Sequence, residues 1–212
     1  MDIMQTLTER KIIAIFRGVA EKPADETAAA LVRGGIRLME VTMNTEGALS
    51  IVSRWRESFD GQSYIGAGTV LDLEMAKEAV AAGAQFLISP NLDEAVVAYG
   101  LERGVDVFPG AMTPTEIVRA WKAGARAVKL FPMASLGIGY LKEIRAPLES
   151  IPIIATGGVR LDNIEEYVRA GAAGFGLGSS LVDKKRIEAG KFDEIEQTAR
   201  KFVDAVAEAR TV

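Results

Sequence analysis

Short apolar runs alternate along the chain with longer amphipathic stretches. Eight of these runs have the length and composition of buried parallel strands, and stretches with helical periodicity separate them. The predicted strands are Ile12–Phe16, Leu38–Thr42, Tyr64–Ala67, Phe86–Ser89, Asp106–Phe108, Ala127–Phe131, Ile153–Thr156 and Gly174–Leu177. In the last amphipathic stretch, Ile195, Ala199, Phe202 and Val206 share one helical face. The pattern therefore predicts eight consecutive βα units.

Glycine recurs where the predicted helices end. Gly34, Gly83, Gly104, Gly124 and Gly171 each precede an apolar run, and glycine suits the left-handed position that terminates a helix. Their spacing corresponds to one or two units of roughly 20 to 25 residues, as βα repeats require. We predict an α/β fold: a single-domain (β/α)8 TIM barrel over residues 1–212, with a short N-terminal helix over about residues 1–10. A doubly wound open sheet is the alternative, because the alternation alone does not show closure.

The absence of two residue types narrows the possible chemistry. The chain of 212 residues contains no His and no Cys, which excludes a Ser-His-Asp triad, a thiolate nucleophile, the usual zinc site and a disulfide. A net charge of −4 without a basic patch argues against binding to nucleic acid or to a membrane surface. No signal peptide or membrane-spanning stretch is found. We therefore expect a cytoplasmic protein whose partner is a small molecule.

Lys129 lies inside the sixth predicted strand, where a charged ammonium group is unfavourable. Desolvation lowers the pKa of a buried lysine and favours the neutral amine, which attacks carbonyl carbons to form a Schiff base. Glu40 lies inside the second predicted strand, and its carboxyl group, with a pKa raised by burial, suits proton transfer in a protein without His. A buried ion pair between Lys129 and Glu40, without a catalytic role, is the alternative explanation.

Two glycine-rich loops follow the seventh and eighth predicted strands, at Thr156-Gly157-Gly158 and Gly178-Ser179-Ser180. Glycine lets backbone N–H groups approach an anion closely, and TIM barrels often bind phosphate at these two loops. Arg17, Thr69 and Pro90 follow other strands and are expected at the same opening. Arg17 suits bidentate binding of a carboxylate or phosphate, or else is a surface residue. Thr69 is also explained as an N-cap or turn residue, and Pro90 as a residue that stiffens its loop and shapes the site.

Seven short motifs, in the same order, resemble those of the 2-keto-3-deoxy-6-phosphogluconate (KDPG) aldolase family. They are Glu40-Val41-Thr42, Ile65-Gly66-Ala67-Gly68-Thr69-Val70, Ile88-Ser89-Pro90, Phe108-Pro109-Gly110, Val128-Lys129-Leu130-Phe131-Pro132, Thr156-Gly157-Gly158 and Gly178-Ser179. The resemblance covers nearly the whole chain. It implies a metal-free class I aldolase without a cofactor, a homotrimeric (β/α)8 barrel. Its reaction would split a phosphorylated 2-keto-3-deoxy sugar acid into pyruvate and glyceraldehyde 3-phosphate, with 4-hydroxy-2-oxoglutarate as a side substrate.

The resemblance also implies a role for each matching position. Lys129 would form the Schiff base, and Glu40 would act as general acid and base through water. The implied substrate contacts are Thr69, Pro90 and Phe131 at the pyruvate end, Thr156 at the sugar-acid hydroxyl groups, and Gly157, Gly158, Gly178 and Ser179 at the phosphate.

One position departs from the family pattern. Many members have an arginine, thought to hold the substrate carboxylate, where this chain has Asn44. Asn44 is expected at the substrate but cannot supply that charge, and Arg17 is the substitute that some members use. Asn44 resembles the relatives that act on the galactonate epimer, whereas Thr156 resembles the gluconate enzymes. Both epimers therefore stay open as substrates.

Two other classes of protein would share the phosphate-binding loops. A sugar-phosphate epimerase or isomerase would not need a lysine in the sixth strand. A non-catalytic sugar-phosphate sensor would use Lys129 and Glu40 only as an ion pair. Of the three classes, only the aldolase predicts a covalent adduct between pyruvate and Lys129.

Overall fold

The structure, a computed structural model, describes residues 2–210, in which strands and helices alternate. The strands are β1 (Ile12–Phe16), β2 (Leu38–Thr42), β3 (Tyr64–Gly68), β4 (Phe86–Ile88), β5 (Asp106–Phe108), β6 (Gly110–Ala111), β7 (Val128–Leu130), β8 (Ile153–Thr156) and β9 (Gly174–Leu177). The helices are α1 (Ile3–Arg10), α2 (Glu21–Arg33), α3 (Ala48–Ser58), α4 (Leu73–Ala81), α5 (Glu94–Arg103), α6 (Pro114–Lys122), α7 (Met133–Arg145), α8 (Ile164–Arg169), α9 (Lys184–Glu188) and α10 (Phe192–Ala209).

The parallel sheet closes on itself through a single residue, Pro109. Its strand order is β5-β4-β3-β2-β1-β9-β8-β7-β6, so the two edges are β5 and β6. These two strands are consecutive in the chain and flank Pro109, which makes them two halves of one barrel strand. The carbonyl of Pro109 accepts a hydrogen bond of 2.9 Å from the backbone N–H of Lys129, which continues the pairing with β7. The predicted eight-stranded barrel is confirmed, and the open sheet is excluded.

All eight predicted strands are present, with small differences in their ends. β3 extends to Gly68, β4 ends at Ile88, and β7 is one residue shorter at each end than the predicted run. The fifth strand is interrupted because proline has no N–H to donate to the ladder. α1 occupies Ile3–Arg10, within the predicted helix, and Met1 lies outside the described residues. Within residues 2–210, no helix has the length and apolar character needed to cross a bilayer.

The amino-terminal half of the barrel interior is filled by apolar side chains. This cluster, the apolar floor, consists of Leu7, Ile13, Leu38, Phe86, Ile88, Phe108, Ala127 and Ile154. Leu7 extends from α1 into the end of the barrel next to β9. A Cβ built on Gly174 of that strand would lie 2.6 Å from Cδ1 of Leu7. A separate and larger core joins the outer faces of the strands to the surrounding helices. The floor closes the barrel from below and leaves its carboxyl-terminal half for polar groups.

Candidate active site

Polar side chains occupy the barrel interior above the apolar floor. Glu40 on β2 is 1% exposed, Lys129 on β7 is 5% exposed and Thr156 on β8 is 5% exposed. Side chains alternate between the two faces of a strand, so these residues point inward while their neighbours pack against helices. Glu40 and Lys129 were expected to be buried because each lies inside an apolar run, and the structure buries both.

Glycines on neighbouring strands leave space for these polar groups. A Cβ on Gly68 would lie 2.7 Å from the carboxyl carbon of Glu40, and a Cβ on Gly176 would lie 2.6 Å from Oγ1 of Thr156. Real side chains do not approach so closely, so a larger residue at either position would displace the polar group. The two glycines thus determine where the carboxyl and hydroxyl groups lie.

Burial shifts the pKa values of Lys129 and Glu40 toward their neutral forms. Desolvation lowers the pKa of Lys129, and the positive charge of Arg17 lowers it further, against the opposing effect of Glu40. Desolvation raises the pKa of Glu40, against the opposing effects of Lys129 and Arg17. The two shifts share their main cause, the cost of keeping a charge away from water.

Lys129 and Glu40 do not form a close ion pair. Among residues 2–210, no ion pair within 4 Å involves either side chain. Oε2 of Glu40 has no hydrogen-bond partner in the described chain. Nζ of Lys129 lies 5.2 Å from the centroid of the Phe131 ring. The amine and the carboxyl group are thus both buried and separate, an arrangement suited to transferring protons to a third group between them.

Arg17 and Thr69 lie together at the ends of β1 and β3. Nη2 of Arg17 is 3.4 Å from Oγ1 of Thr69, a long hydrogen bond. Thr69 has a φ of 57°, which is rare for a β-branched residue and places it among the strained conformations that cluster at functional sites. The charge of Arg17 acts on both Glu40 and Lys129. Arg17 therefore supplies a cation close to the buried amine.

A cavity of about 820 Å³ opens above Lys129 at the carboxyl ends of the strands. Most of the predicted site residues line it: Arg17, Lys129, Phe131, Thr156, Gly157, Gly158, Gly178 and Ser179. Glu40 lies in the barrel interior next to Gly68, and the charge of Lys129 acts on its carboxyl group. Asn44 and Pro90 are exposed and are not part of this cavity wall. The structure thus brings the predicted amine and the predicted phosphate loops to one opening.

The far end of the cavity is formed by the loop after β8. Gly157 and Gly158 have φ angles of 93° and 75°, which side chains other than glycine rarely adopt. The Cβ position of Gly157 lies 3.6 Å from the backbone nitrogen of Met133, so the start of α7 packs against this loop. Asn163 holds the loop by donating a hydrogen bond of 3.0 Å from Nδ2 to the carbonyl of Gly158. Such closely packed backbone amides suit an anion.

Several cavity residues were not predicted from the sequence. Arg160, Asp183, Lys184 and Lys185 also line the wall. Asp183 accepts a hydrogen bond of 2.9 Å from the backbone N–H of Lys185, and this contact begins α9. The signal that could have revealed these residues is the presence of basic side chains just after both glycine-rich loops. Within residues 2–210, no cluster of three or more acidic residues is arranged to hold a metal ion.

Comparison with known proteins identifies the family. Residues 3–198 match the model of the family described as KDPG and KHG aldolase, in which KHG is 4-hydroxy-2-oxoglutarate. The chain belongs to the KDPG and KHG aldolase family. The family likeness predicted from the seven motifs is thereby confirmed, and the protein is a class I aldolase, a lyase.

The similar relatives include enzymes named for different substrates. The chain is 36% identical over 208 residues to a 2-dehydro-3-deoxy-phosphogluconate aldolase of Treponema pallidum, covering 96% of this chain and 97% of the relative. It is 34% identical over 210 residues to a 2-dehydro-3-deoxy-6-phosphogalactonate aldolase of Escherichia coli, with coverages of 97% and 99%. Identities this similar do not distinguish the gluconate from the galactonate substrate.

A solved structure supports the same barrel. KDPG aldolase from Legionella pneumophila, captured with pyruvate as a covalent carbinolamine intermediate, superposes with a TM-score of 0.86 at 28% identity. The match covers 94% of this chain and 97% of that chain. The family fold thus extends over nearly all of both proteins.

Proposed function

We propose that this aldolase splits KDPG into pyruvate and glyceraldehyde 3-phosphate, with Lys129 as the Schiff-base nucleophile. The observation that carries the proposal is the placement of Lys129, which is buried, makes no ion pair within 4 Å among residues 2–210, and lines the 820 Å³ cavity. The glycine loops after β8 and β9 line the same cavity, as a substrate with a phosphate at one end requires. The covalent pyruvate adduct of the Legionella pneumophila relative supports the same chemistry.

The proposed reaction begins at the substrate ketone. The neutral amine of Lys129 adds to C2, and loss of water from the resulting carbinolamine produces an iminium ion. Glu40, acting through water, removes the proton of the C4 hydroxyl group. The C3–C4 bond then breaks, its electron pair moves into the enamine, and glyceraldehyde 3-phosphate leaves. Protonation of the enamine at C3 and hydrolysis of the iminium release pyruvate and restore the amine.

Arg17 is the proposed ligand of the substrate carboxylate. It lines the cavity, and its charge acts on Lys129, to which C2 would be bonded. Asn44 carries no charge and is exposed outside this cavity wall. A guanidinium group binds a carboxylate through two parallel hydrogen bonds, which would orient C1 and C2 for attack. Thr69 would position Arg17 through their shared hydrogen bond.

The galactonate epimer is the second candidate substrate. The Escherichia coli relative named for it is 34% identical to this chain, close to the value for the gluconate relative. Thr156 supports the gluconate substrate, since it lines the cavity and threonine at this position resembles the gluconate enzymes. Steady-state kinetics on both epimers and on 4-hydroxy-2-oxoglutarate test this preference, and a higher kcat/KM for the galactonate epimer would contradict it.

Borohydride trapping with pyruvate tests the central step. Reduction of the imine should leave a stable adduct, which peptide mass spectrometry should locate at Lys129. Lys129→Met should abolish the adduct, whereas Lys201→Met, a change on the exposed face of α10, should not. Wild-type protein that stays unmodified, or that is modified at a different lysine, would disprove the proposed nucleophile.

We also propose that the protein is a homotrimer, as the family resemblance implies. Leu101, Met112 and Trp121 are large apolar side chains that are 55%, 46% and 39% exposed, which supports contact with further copies. Light scattering on the purified protein tests this assembly, and a monomeric mass would contradict it.

A further inference from the structure

Lys184 lies at the mouth of the active-site cavity, between the loops that follow the first and last barrel strands. It is the first residue of α9, and its side chain forms part of the cavity wall. Nζ of Lys184 lies 3.1 Å from the position that a Cβ would take on Gly18, in the loop after β1. β1 and β9 are neighbours in the barrel. The side chain therefore reaches from one loop to the next across this side of the opening.

The ammonium group of Lys184 has no acidic partner in the described structure. Among residues 2–210, no ion pair within 4 Å involves Lys184, although other basic residues nearby are paired. Arg160 lies 3.1 Å from Asp162, and Arg186 lies 3.6 Å from Glu194. The carboxylate of Asp183 is occupied by the first backbone N–H groups of α9. A cation that lines the cavity and is not paired with a carboxylate is available to an anionic ligand.

The glycine-rich loops at the phosphate end of the cavity supply neutral donors, although two other cations, Arg160 and Lys185, line the same wall and Arg160 is paired with Asp162. Gly157, Gly158 and Gly178 contribute backbone groups, and Ser179 adds a hydroxyl group. A phosphate monoester carries a charge of about −1.5 to −2 at neutral pH, which neutral donors solvate but do not neutralise. Lysine is a compact point charge that binds phosphate well without requiring a fixed orientation.

We infer that Lys184 binds the phosphate group of the substrate and makes this enzyme prefer phosphorylated over unphosphorylated keto acids. The inference rests on the proposed function, because it assumes that the phosphate lies at the glycine loops. Lys185 lines the same cavity, but the amine that lies against the loop at Gly18 is that of Lys184. The position of Lys184 at this loop, and not its charge alone, is therefore proposed to make it the phosphate ligand.

Kinetics with two substrates separate phosphate binding from catalysis. For Lys184→Met, KM for KDPG should rise roughly 10-fold with little change in kcat, as expected for loss of a charge-assisted contact made equally in ground and transition states. The kinetics with 4-hydroxy-2-oxoglutarate, which has no phosphate, should stay at the wild-type level. Lys184→Arg should recover most of the affinity, and Lys201→Met should behave like wild type. Equal losses on both substrates, or an equal effect of Lys185→Met, would overturn the inference.

A binding measurement makes the test independent of turnover. Calorimetric titration with glycerol 3-phosphate should show an affinity roughly 10-fold weaker for Lys184→Met than for wild type. An unchanged affinity, or no binding to the wild-type protein, would overturn the inference.

Failure of the proposed function would give a different result. The protein would then cleave neither sugar acid and form no pyruvate adduct, while the glycerol 3-phosphate titration would still decide the role of Lys184. Unchanged thermal unfolding of the variants serves as the folding control.

Discussion

The two halves of the barrel interior are built from the same strands, but apolar side chains fill one half and polar side chains lie in the other. Below, the apolar floor of eight side chains fills the space between the strands. Above it, Glu40, Lys129 and Thr156 are held in space left by glycines. The floor excludes water from below, so the desolvation that shifts both pKa values at Lys129 and Glu40 depends on residues that never contact substrate. An apolar core can thus determine the reactivity of the polar site above it.

Removing the Lys129 amine should have the largest effect on activity, because it takes away the reactive polar group above the apolar floor. Lys129→Met replaces the polar group with an apolar one and extends the floor upward. Aldol cleavage should fall to the background rate, because no Schiff base can form. Binding of glycerol 3-phosphate should persist, because the anion end of the cavity is unchanged. Coupled assays and calorimetry measure the two effects, and residual cleavage well above background would mean that another nucleophile acts.

Neutralising the carboxyl group should have the next largest effect. Glu40→Gln keeps the shape of the side chain but removes the group that is proposed to transfer protons. kcat should fall by about 10²- to 10⁴-fold, the usual contribution of a general acid or base. Pyruvate trapping at Lys129 should become slower but still occur at the same residue. Stopped-assay kinetics and mass spectrometry test this result, and a variant with wild-type kcat would remove Glu40 from the mechanism.

Two glycine substitutions on β3 should distinguish the role of the apolar floor in stability from the role of the polar site in activity, because Gly66 lies next to Phe86 and Gly68 next to Glu40. In Gly66→Ala the new methyl group would overlap the buried Phe86 ring, so we expect a loss of stability of about 1–3 kcal/mol from overpacking. In Gly68→Ala the methyl group would lie 2.7 Å from the carboxyl carbon of Glu40, whose side chain can turn away. That variant should lose more activity than stability. Chemical denaturation and kcat measured on both variants make the comparison, and indistinguishable variants would contradict it.

The smallest expected effect is a change in the titration of Lys129. Its pKa should lie below the usual value of 10.5 because of burial. Glu40 raises this pKa, so Glu40→Gln should lower it further. Arg17 lowers the pKa, so Arg17→Met should raise it. Relative to the wild-type protein, the neutral amine of Lys129 would then form at lower pH in Glu40→Gln and at higher pH in Arg17→Met. NMR titration of ¹³Cε-labelled lysine, assigned with Lys129→Met, measures both shifts, and shifts in the reverse directions would refute the electrostatic explanation.

Much of the fold was predictable because strand and helix periodicity are local properties. The eight apolar runs locate the eight barrel strands within one residue at most ends. Glu40 and Lys129 stood out because a charge inside an apolar run is unfavourable without a reason. The alternation of strands and helices does not by itself distinguish the predicted closed barrel from an open sheet, since closure depends on Pro109 joining two strand halves that pair with opposite edges of the sheet.

The membership of the cavity wall was only partly predictable. The glycine loops after β8 and β9 were expected at the opening, and the structure places them there. Arg160 and Lys184 were missed because a basic residue just after a glycine-rich loop does not by itself show that its side chain turns toward the cavity. Asn44 was expected at the substrate but is not in this wall, so its role stays a prediction.

The amino-acid sequence by itself determined which segments form strands, which positions point inward and which buried positions carry a charge. Each of these properties depends on neighbours a few residues away, through backbone geometry and the alternation of side chains along a strand. Only the tertiary structure decided that the sheet closes, that Lys129 and Glu40 share the buried interior without forming an ion pair, and that the amine of Lys184 reaches the loop at Gly18. These results depend on distances between residues far apart in the chain, and such distances are set by how the strands and helices pack together.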